Sequence, residues 1–365
     1  MFAERKRSSL LLVVVFAMLW VFAGAGGLFA AEGGTRTIVD ATGREVRVPD
    51  RPQRIAIGTT VLPNMVYALQ GHARNIVAIN PASYAGWQIG TFRFLAPELE
   101  NVNTSMINND FSLNVEALAE ADVDLVLNWD SQMDSAKQLE AIGIPCVLFR
   151  SATDLASLKE LLALLGDVLN CRERAEEGLA WYNETEAYFK GKEASVAVLA
   201  EEDRPKVLHF QRASKFQVYG GGMNHYVTEI EGGRNFKLPV GRAAPTMEDV
   251  LVFDPDIIFI SNFDDVTPQD FYENRLDGQD WSGISAVKNR RVYKVPAGLY
   301  RWAPPNSFEK PLYMKWTAAI VQPKLFSDID IRKEIRDFYA SYYKYNLTEE
   351  QIDTILRVRL NEQSR

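Results

Sequence analysis

The sequence predicts an α/β protein of two similar lobes spanned by one long helix. Three observations carry this. A Glu-x5-Asp-x-Asp pattern followed by an aliphatic run occurs twice, at Glu116 with Asp122 and Asp124 and at Glu248 with Asp254 and Asp256. Short apolar runs alternate with helical stretches in both halves, the mark of a mostly parallel sheet. Helical spacing then persists over about 172–202, with Ala175, Leu179, Tyr182, Phe189 and Val196 on one stripe. Some 30 residues at about 1.5 Å each make a rod about 45 Å long, enough to cross two lobes.

Length and composition agree. A chain of 365 residues exceeds one ordinary core and suits two domains. Hydrophobic content of 47% and charged content of 24% fit a globular protein. A formal charge of −8 with scattered basic residues argues against a nucleic-acid partner. Residues 1–30 read as a secretory signal peptide: Arg5, Lys6 and Arg7, an apolar run from Leu10 to Phe22, then small residues ending at Ala30. Their removal takes away three bases and Glu4, so −8 becomes −10. No cysteine lies near the cleavage region, so a free periplasmic monomer is expected rather than a lipid-anchored form. Export would permit a disulfide between Cys146 and Cys171, but Cys146 sits in a strand-like apolar run and reads as a small buried hydrophobe.

In order, 37–48 reads as a hairpin around Gly43, stopped by Pro49 and Pro52. A strand at 54–57, a helix at 62–70 ended by Gly71, and a strand at 76–79 follow. The stretch 80–111 reads as irregular and rich in bulky residues, a common property of functional loops. The first glutamate unit leads to strands at 125–127 and 145–149 around a helix at 131–142. A leucine-rich helix at 155–169 precedes the rod. After Pro205 come strands at 207–210 and 216–219, a Gly220-Gly221-Gly222 turn and a helix at 224–231. The second glutamate unit feeds a strand at 257–260. An acidic connection, a strand at 292–295, a loop at 296–305 and helices at 309–319, 331–343 and 348–356 complete the chain. The corresponding domains are 37–170, the linking helix 171–202, and 203–365.

Catalytic signatures are absent: there is no G-x-S-x-G elbow, no G-x-x-x-x-G-K and no H-E-x-x-H. Three histidines, His72, His209 and His225, are spread over both halves and argue against a caged metal. No enzyme, resident cofactor or metal is predicted; the competing class is an exported enzyme on the same frame. The triple glycine could cradle an anion on free N–H groups, or make only a sharp turn. Aromatic and arginine residues gather on strand-following loops, where parallel sheets bind ligands: Tyr84, Trp87, Arg93, Trp129, Arg212, Tyr300, Arg301 and Trp302, with His225 near a helix start. Aromatic walls offer apolar area with a polar handle, and arginine offers forked recognition of carboxylates and oxyanions. Core packing explains each aromatic alone equally well.

Taken with the opening Thr37-Ile38-Val39-Asp40-Ala41-Thr42-Gly43-Arg44, Pro52-Gln53-Arg54-Ile55, Gly232-Gly233-Arg234-Asn235 and the ending Phe326-Ser327-Asp328-Ile329-Asp330, the two glutamate units resemble a known family. These are the substrate-binding proteins of the iron-siderophore and vitamin B12 class of ABC importers. The resemblance implies two doubly wound α/β lobes joined by a single rigid helix, with the ligand cleft between the lobes. It implies a partner permease dimer with its ATPase, docked through a glutamate on each lobe, here Glu116 and Glu248. Members bind ferric siderophores, haem, cobalamin, or molybdate and tungstate. The arginines point to an anionic or metal-chelate ligand, and the aromatics favour a bulky ferric chelate over a bare oxyanion.

Overall fold

In the computed structural model, which describes residues 34–238 and 244–364, two parallel sheets flank one long helix. The leader reading falls on residues outside those described. The hairpin β1 (Thr35–Val39) and β2 (Glu45–Pro49) comes first, followed by β3 (Ile55–Ile57), α1 (Leu62–Gln70) and β4 (Ile76–Ile79). Two short helices follow, α2 (Pro81–Ile89) and α3 (Phe92–Leu95), then α4 (Val115–Glu120), β5 (Leu125–Trp129), α5 (Met133–Ala141) and β6 (Cys146–Phe149). The first sheet has the order β4-β3-β5-β6, all parallel.

Helix α6 (Leu155–Val168) leads into α7 (Arg172–Ala197). The second half comprises β7 (Lys206–Arg212), β8 (Gln217–Val218), α8 (Met223–Ile230), β9 (Arg234–Asn235), α9 (Met247–Phe253) and β10 (Ile257–Ile260). It ends with α10 (Pro268–Tyr272), α11 (Ser285–Lys288), β11 (Val292–Lys294), α12 (Lys310–Val321), α13 (Ile331–Ser341), α14 (Glu349–Ile355) and α15 (Val358–Asn361). Its sheet runs β11-β10-β7, all parallel, with antiparallel β8 and short parallel β9 on the far side of β7.

The duplicated unit is duplicated in space, and its aspartates explain why. Asp122 and Asp254 each close their helix in a left-handed conformation (φ 49° and 45°), which aspartate tolerates better than most residues. Two residues on, Asp124 accepts the backbone N–H groups of Gln53 and Arg54 at 2.7 and 2.9 Å, and Asp256 accepts that of Lys206 at 2.8 Å. Each therefore fixes the start of the neighbouring strand, β3 or β7. Asn114 and Thr246 cap the two helices. Glu116 and Glu248 are left exposed in the first turns, with no hydrogen-bond or ion-pair partner among the described residues.

Helix α7 spans 26 residues, about 39 Å. Its buried stripe, Ala175, Gly178, Tyr182, Thr185, Phe189 and Val196, packs on both halves. Near its start Arg174 donates to Ala68 O at 3.2 Å and Tyr342 O at 2.9 Å. Farther along, Tyr182 Oη donates to Phe308 O at 2.8 Å and Lys192 pairs with Asp328 at 3.0 Å. One continuous apolar core runs from Ile57 and Leu127 through Tyr182 to Phe259 and Leu312. Separate clusters cover the outer faces of the two sheets. Hydrophobic burial therefore links the lobes as well as filling each.

Three expectations are corrected. The rod ends at Ala197, short of 202, where Arg204 turns back to donate to Val196 O and Leu199 O and satisfies the terminal carbonyls. The stretch 80–111 is not loop throughout: Asn80 accepts from Ala82 N and Pro81 occupies the first turn, which starts α2. The strand at 216–219 shrinks to Gln217–Val218, because Phe216 sits at φ 53°, outside any strand conformation. Cys146 is buried and Cys171 half-buried, both as free thiols; burial pushes the Cys146 thiol up to about 12.

One buried acid gives a measurable signature. Glu231 is fully enclosed, Thr317 Oγ1 donates to one oxygen at 2.5 Å, and the other has no hydrogen-bond partner among the described residues. Burial holds its pKa well above the ordinary range, although the Thr317 bond pulls the other way. The folded chain thus retains a proton that the unfolded chain releases above about pH 4.3. Stability must fall with rising pH there, by up to about 1.4 kcal/mol per unit from this group. Glu231→Gln is expected to gain on the wild type between pH 5 and 8 in urea unfolding. A difference independent of pH would refute the assignment.

Candidate functional site

Parallel sheets bind ligands where the strand order reverses, in the crevice beyond the carboxyl ends. The first sheet reverses between β3 and β5, the second between β7 and β10. The carboxyl ends of these strands and the chain just beyond them supply Thr59, Thr60 and Trp129 from one half, and Arg212, Asn262 and Phe263 from the other. The two points meet through Arg301. Its Nε donates to Asn262 O at 2.7 Å, and its Nη1 donates to Ala82 O in the first turn of α2 at 2.9 Å. Ser83 Oγ in the same turn donates to Thr59 O and Thr60 O.

Arg301 is 5% exposed, and Nη1 also bonds Tyr300 Oη at 2.9 Å. Its guanidinium lies 4.6 Å from the centre of the Phe263 ring, and that of Arg212 lies 5.7 Å from the same ring. Among the described residues no carboxylate pairs with either arginine, Nη2 of Arg301 carries no hydrogen bond, and the Arg212 side chain carries none. A buried cation without a counter-charge is costly. An anion lodged between the two would supply it through charge-assisted bonds. Gly86 permits this approach of the lobes: a Cβ there would stand 2.2 Å from the Tyr300 ring and 3.1 Å from Arg301 Nη1.

Positive charge extends beyond this pair. Arg357 donates to Ile89 O at 3.2 Å, and its pKa is lowered to about 10 by burial and by the nearby Arg301 and Arg93. Lys294 bonds Asp264 O and Val266 O and pairs with the Asp264 carboxylate at 3.9 Å; burial is the main cause that brings it down to about 8. On the other flank, His225 bonds Tyr219 O through Nε2 at 3.0 Å, and burial lowers its pKa. Tyr219 in turn feels the charges of Arg212 and Arg301.

Of the residues singled out from sequence, Arg212, Tyr300 and Arg301 converge, with His225 beside them through Tyr219. Trp129 is half-buried at the end of β5. Arg93 is exposed, donates to Gln88 O and lies over Phe94. Tyr84 stacks on Trp87 at 5.3 Å and donates to Glu100 O, while Trp87 is buried and donates to Ala96 O. Trp302 is fully enclosed, and its indole N–H donates to Glu309. Both tryptophans thus spend their polar handles inside the protein. Gly222 forms the N-cap of α8 without a side-chain cap. Phe263 and Arg357 were not selected from sequence. Phe263 follows β10 as Arg212 ends β7, a positional signal that was available; Arg357 lies in a C-terminal helical segment that offers none.

Two lobes sharing a core, one spanning helix and a cationic site at the paired switch points define a two-lobed binding protein with a helical backbone. The family model of periplasmic binding proteins matches residues 55–299, and the chain belongs to that family. A periplasmic solute binding protein from Veillonella parvula has a crystal structure 38% identical, with a TM-score of 0.81 over 90% of this chain and 99% of that one. The molybdate-binding protein MolA of Haemophilus influenzae is 25% identical over 338 residues, covering 85% of this chain and 91% of MolA. Its structure with molybdate bound aligns at a TM-score of 0.72 and 23% identity, covering 86% of this chain and 99% of that one.

Proposed function

We propose that this chain is the capture component of an ABC importer, which takes a compact, multiply charged oxyanion of the molybdate or tungstate type from the periplasm. One observation carries the ligand class: Arg301 is buried at the meeting point of the lobes, with Arg212 near the same Phe263 ring and no carboxylate among the described residues paired with either. Trp87 and Trp302 are turned into the core, which weakens the case for a bulky aromatic-walled chelate. The similarity to a molybdate-binding relative points the same way. A ferric carboxylate or catecholate chelate is the second reading, favoured by half-buried Trp129 and exposed Arg93, which a larger ligand would reach.

The role is binding and delivery without chemistry, as a periplasmic monomer freed of its leader. The delivery partner is a permease dimer with its ATPase. Glu116 and Glu248, without a partner among the described residues and in equivalent places on the two lobes, suit basic sites on such a permease, and charge attraction would speed the encounter. Lobe limits near 37–170 and 203–365 follow from the same reading. Isothermal titration with molybdate, tungstate, sulfate and ferric siderophores tests the ligand class. Saturable binding of molybdate or tungstate is expected; binding of ferric chelates alone would replace the first reading by the second.

A further inference from the structure

The loop that presents Tyr300 and Arg301 is held from behind by one carboxylate. Glu309, at the foot of α12, is fully enclosed. Its Oε2 accepts Leu299 N at 2.9 Å and Trp302 Nε1 at 2.9 Å, the residues on either side of the Tyr300–Arg301 pair. Gly298 belongs to the same cradle, since a Cβ there would stand 2.2 Å from the Glu309 carboxylate. Oε1 accepts Tyr339 Oη at 2.5 Å, and Tyr339 Oη lies 3.0 Å from Thr91 Oγ1 in the other lobe. Thr91 N closes the circuit by donating to Gly298 O at 2.9 Å.

The polarity of this chain is not free at one end. Leu299 N–H and Trp302 Nε1–H can only donate, so Oε2 must remain an acceptor. A proton can therefore enter only at Oε1. With the carboxylate ionised, Thr91 donates to Tyr339 and Tyr339 donates to Glu309. With it protonated, Glu309 donates to Tyr339 and Tyr339 donates to Thr91. The hydrogen bonds survive in both states, those through Tyr339 with their direction reversed, so the loop keeps its shape while a buried negative charge behind it appears or vanishes.

We propose that Glu309 is a proton-linked positioning residue of the anion site, taking up a proton as an anion binds beside Arg301, so that affinity rises as the medium acidifies. This deepens, and rests on, the anion reading above. An anion and a buried carboxylate behind the same loop repel across a poorly screened interior; protonating Glu309 removes the repulsion, and linkage makes the effect reciprocal. The group is poised for this: burial, only partly offset by the Tyr339, Trp302 and backbone bonds, pushes its pKa up to about 7. The other titratable groups around it are Tyr339 from α13, Tyr343 just past its end and Tyr182 from α7, all raised well above the ordinary phenol range. Lys310, next in the chain and held well below the ordinary range by burial, directs its Nζ to Trp302 O and Ala303 O. Lys294, at about 8, and His225, lowered by burial, flank the anion site.

Glu309→Gln is the diagnostic variant. Its amide oxygen can accept from Leu299 and Trp302 while its NH2 donates to Tyr339, which reproduces the protonated state without titrating. Tungstate, kept dilute enough to remain the monomeric dianion, is titrated into the mature wild type and the variant from pH 6.0 to 7.5, in two buffers of different ionisation enthalpy. The wild type is expected to bind about threefold more tightly at pH 6.0 than at pH 7.5, for a one-unit rise of the Glu309 pKa from about 7. It should take up a fraction of one proton per anion near pH 7. The variant should bind as tightly as the wild type at pH 6.0, with no proton uptake from this group and a flat profile; residual slope from Lys294 or His225 appears in both proteins and subtracts. Tungstate binding in the wild type that is independent of pH would overturn the proposal and leave the anion reading standing. No saturable tungstate binding at any pH would overturn both. Should the variant fold poorly, the proton count in the wild type decides alone.

Discussion

Replacing Arg301 with alanine is expected to reduce oxyanion affinity at least about 100-fold, or about 2.7 kcal/mol, within the range for truncating one partner of a buried charge pair. The side chain provides the free Nη2 donor, and its bonds to Asn262 O and Ala82 O hold it in place. Arg301→Lys should be nearly as damaging, because an ammonium is a point charge and cannot reach both carbonyls and a ligand through a rigid fork. Arg93→Ala is the contrast: that side chain is exposed and donates only to Gln88 O, so affinity should change less than about threefold, in keeping with the small energies of solvent-exposed charges. Calorimetric titration with tungstate, with far-ultraviolet circular dichroism as a folding control, measures all three. Equal losses for Arg301 and Arg93 would move the site toward the exposed rim and favour a larger ligand.

The second large effect separates delivery from capture. Glu116→Ala with Glu248→Ala is expected to lower uptake in cells or proteoliposomes at least about tenfold while leaving ligand affinity within twofold. Neither carboxylate has a partner to lose among the described residues, and each lies in a helix first turn, where its contribution to the fold is about 0.3–1 kcal/mol. Charge contacts across an interface act strongly on association rate and register, so the defect should deepen at low salt relative to high salt. A parallel fall in ligand affinity would place these glutamates in the capture site and remove the docking proposal.

The frame of this protein was legible because its signals are local. The Asp-x-Asp turns were visible as a repeat, and each aspartate does the same job in both lobes, one in a left-handed turn and one at a strand start. The spanning helix showed as a stripe of apolar residues, although its end was set by Arg204, a contact that periodicity does not carry. The site was legible only in part, because it depends on which way neighbouring side chains turn. Arg301 and Trp302 are adjacent, yet one reaches across the lobes and the other points into the core toward Glu309. Arg357 takes the carbonyl of Ile89, a partner 268 residues away that no sequence window can contain. Glu309 stands at a helix start, where an acid is ordinary, and only its burial and its three donors set it apart.

The central claim is that an anion sits between the lobes on the buried arginine. Anomalous diffraction from crystals of the mature protein grown with tungstate tests it most directly. One strong tungsten peak is expected within hydrogen-bonding reach of Arg301 Nη2 and the Arg212 guanidinium, occupied in the wild type and lost in Arg301→Ala. A peak elsewhere, or an arginine pair left empty while a ferric chelate occupies the crevice, would contradict it.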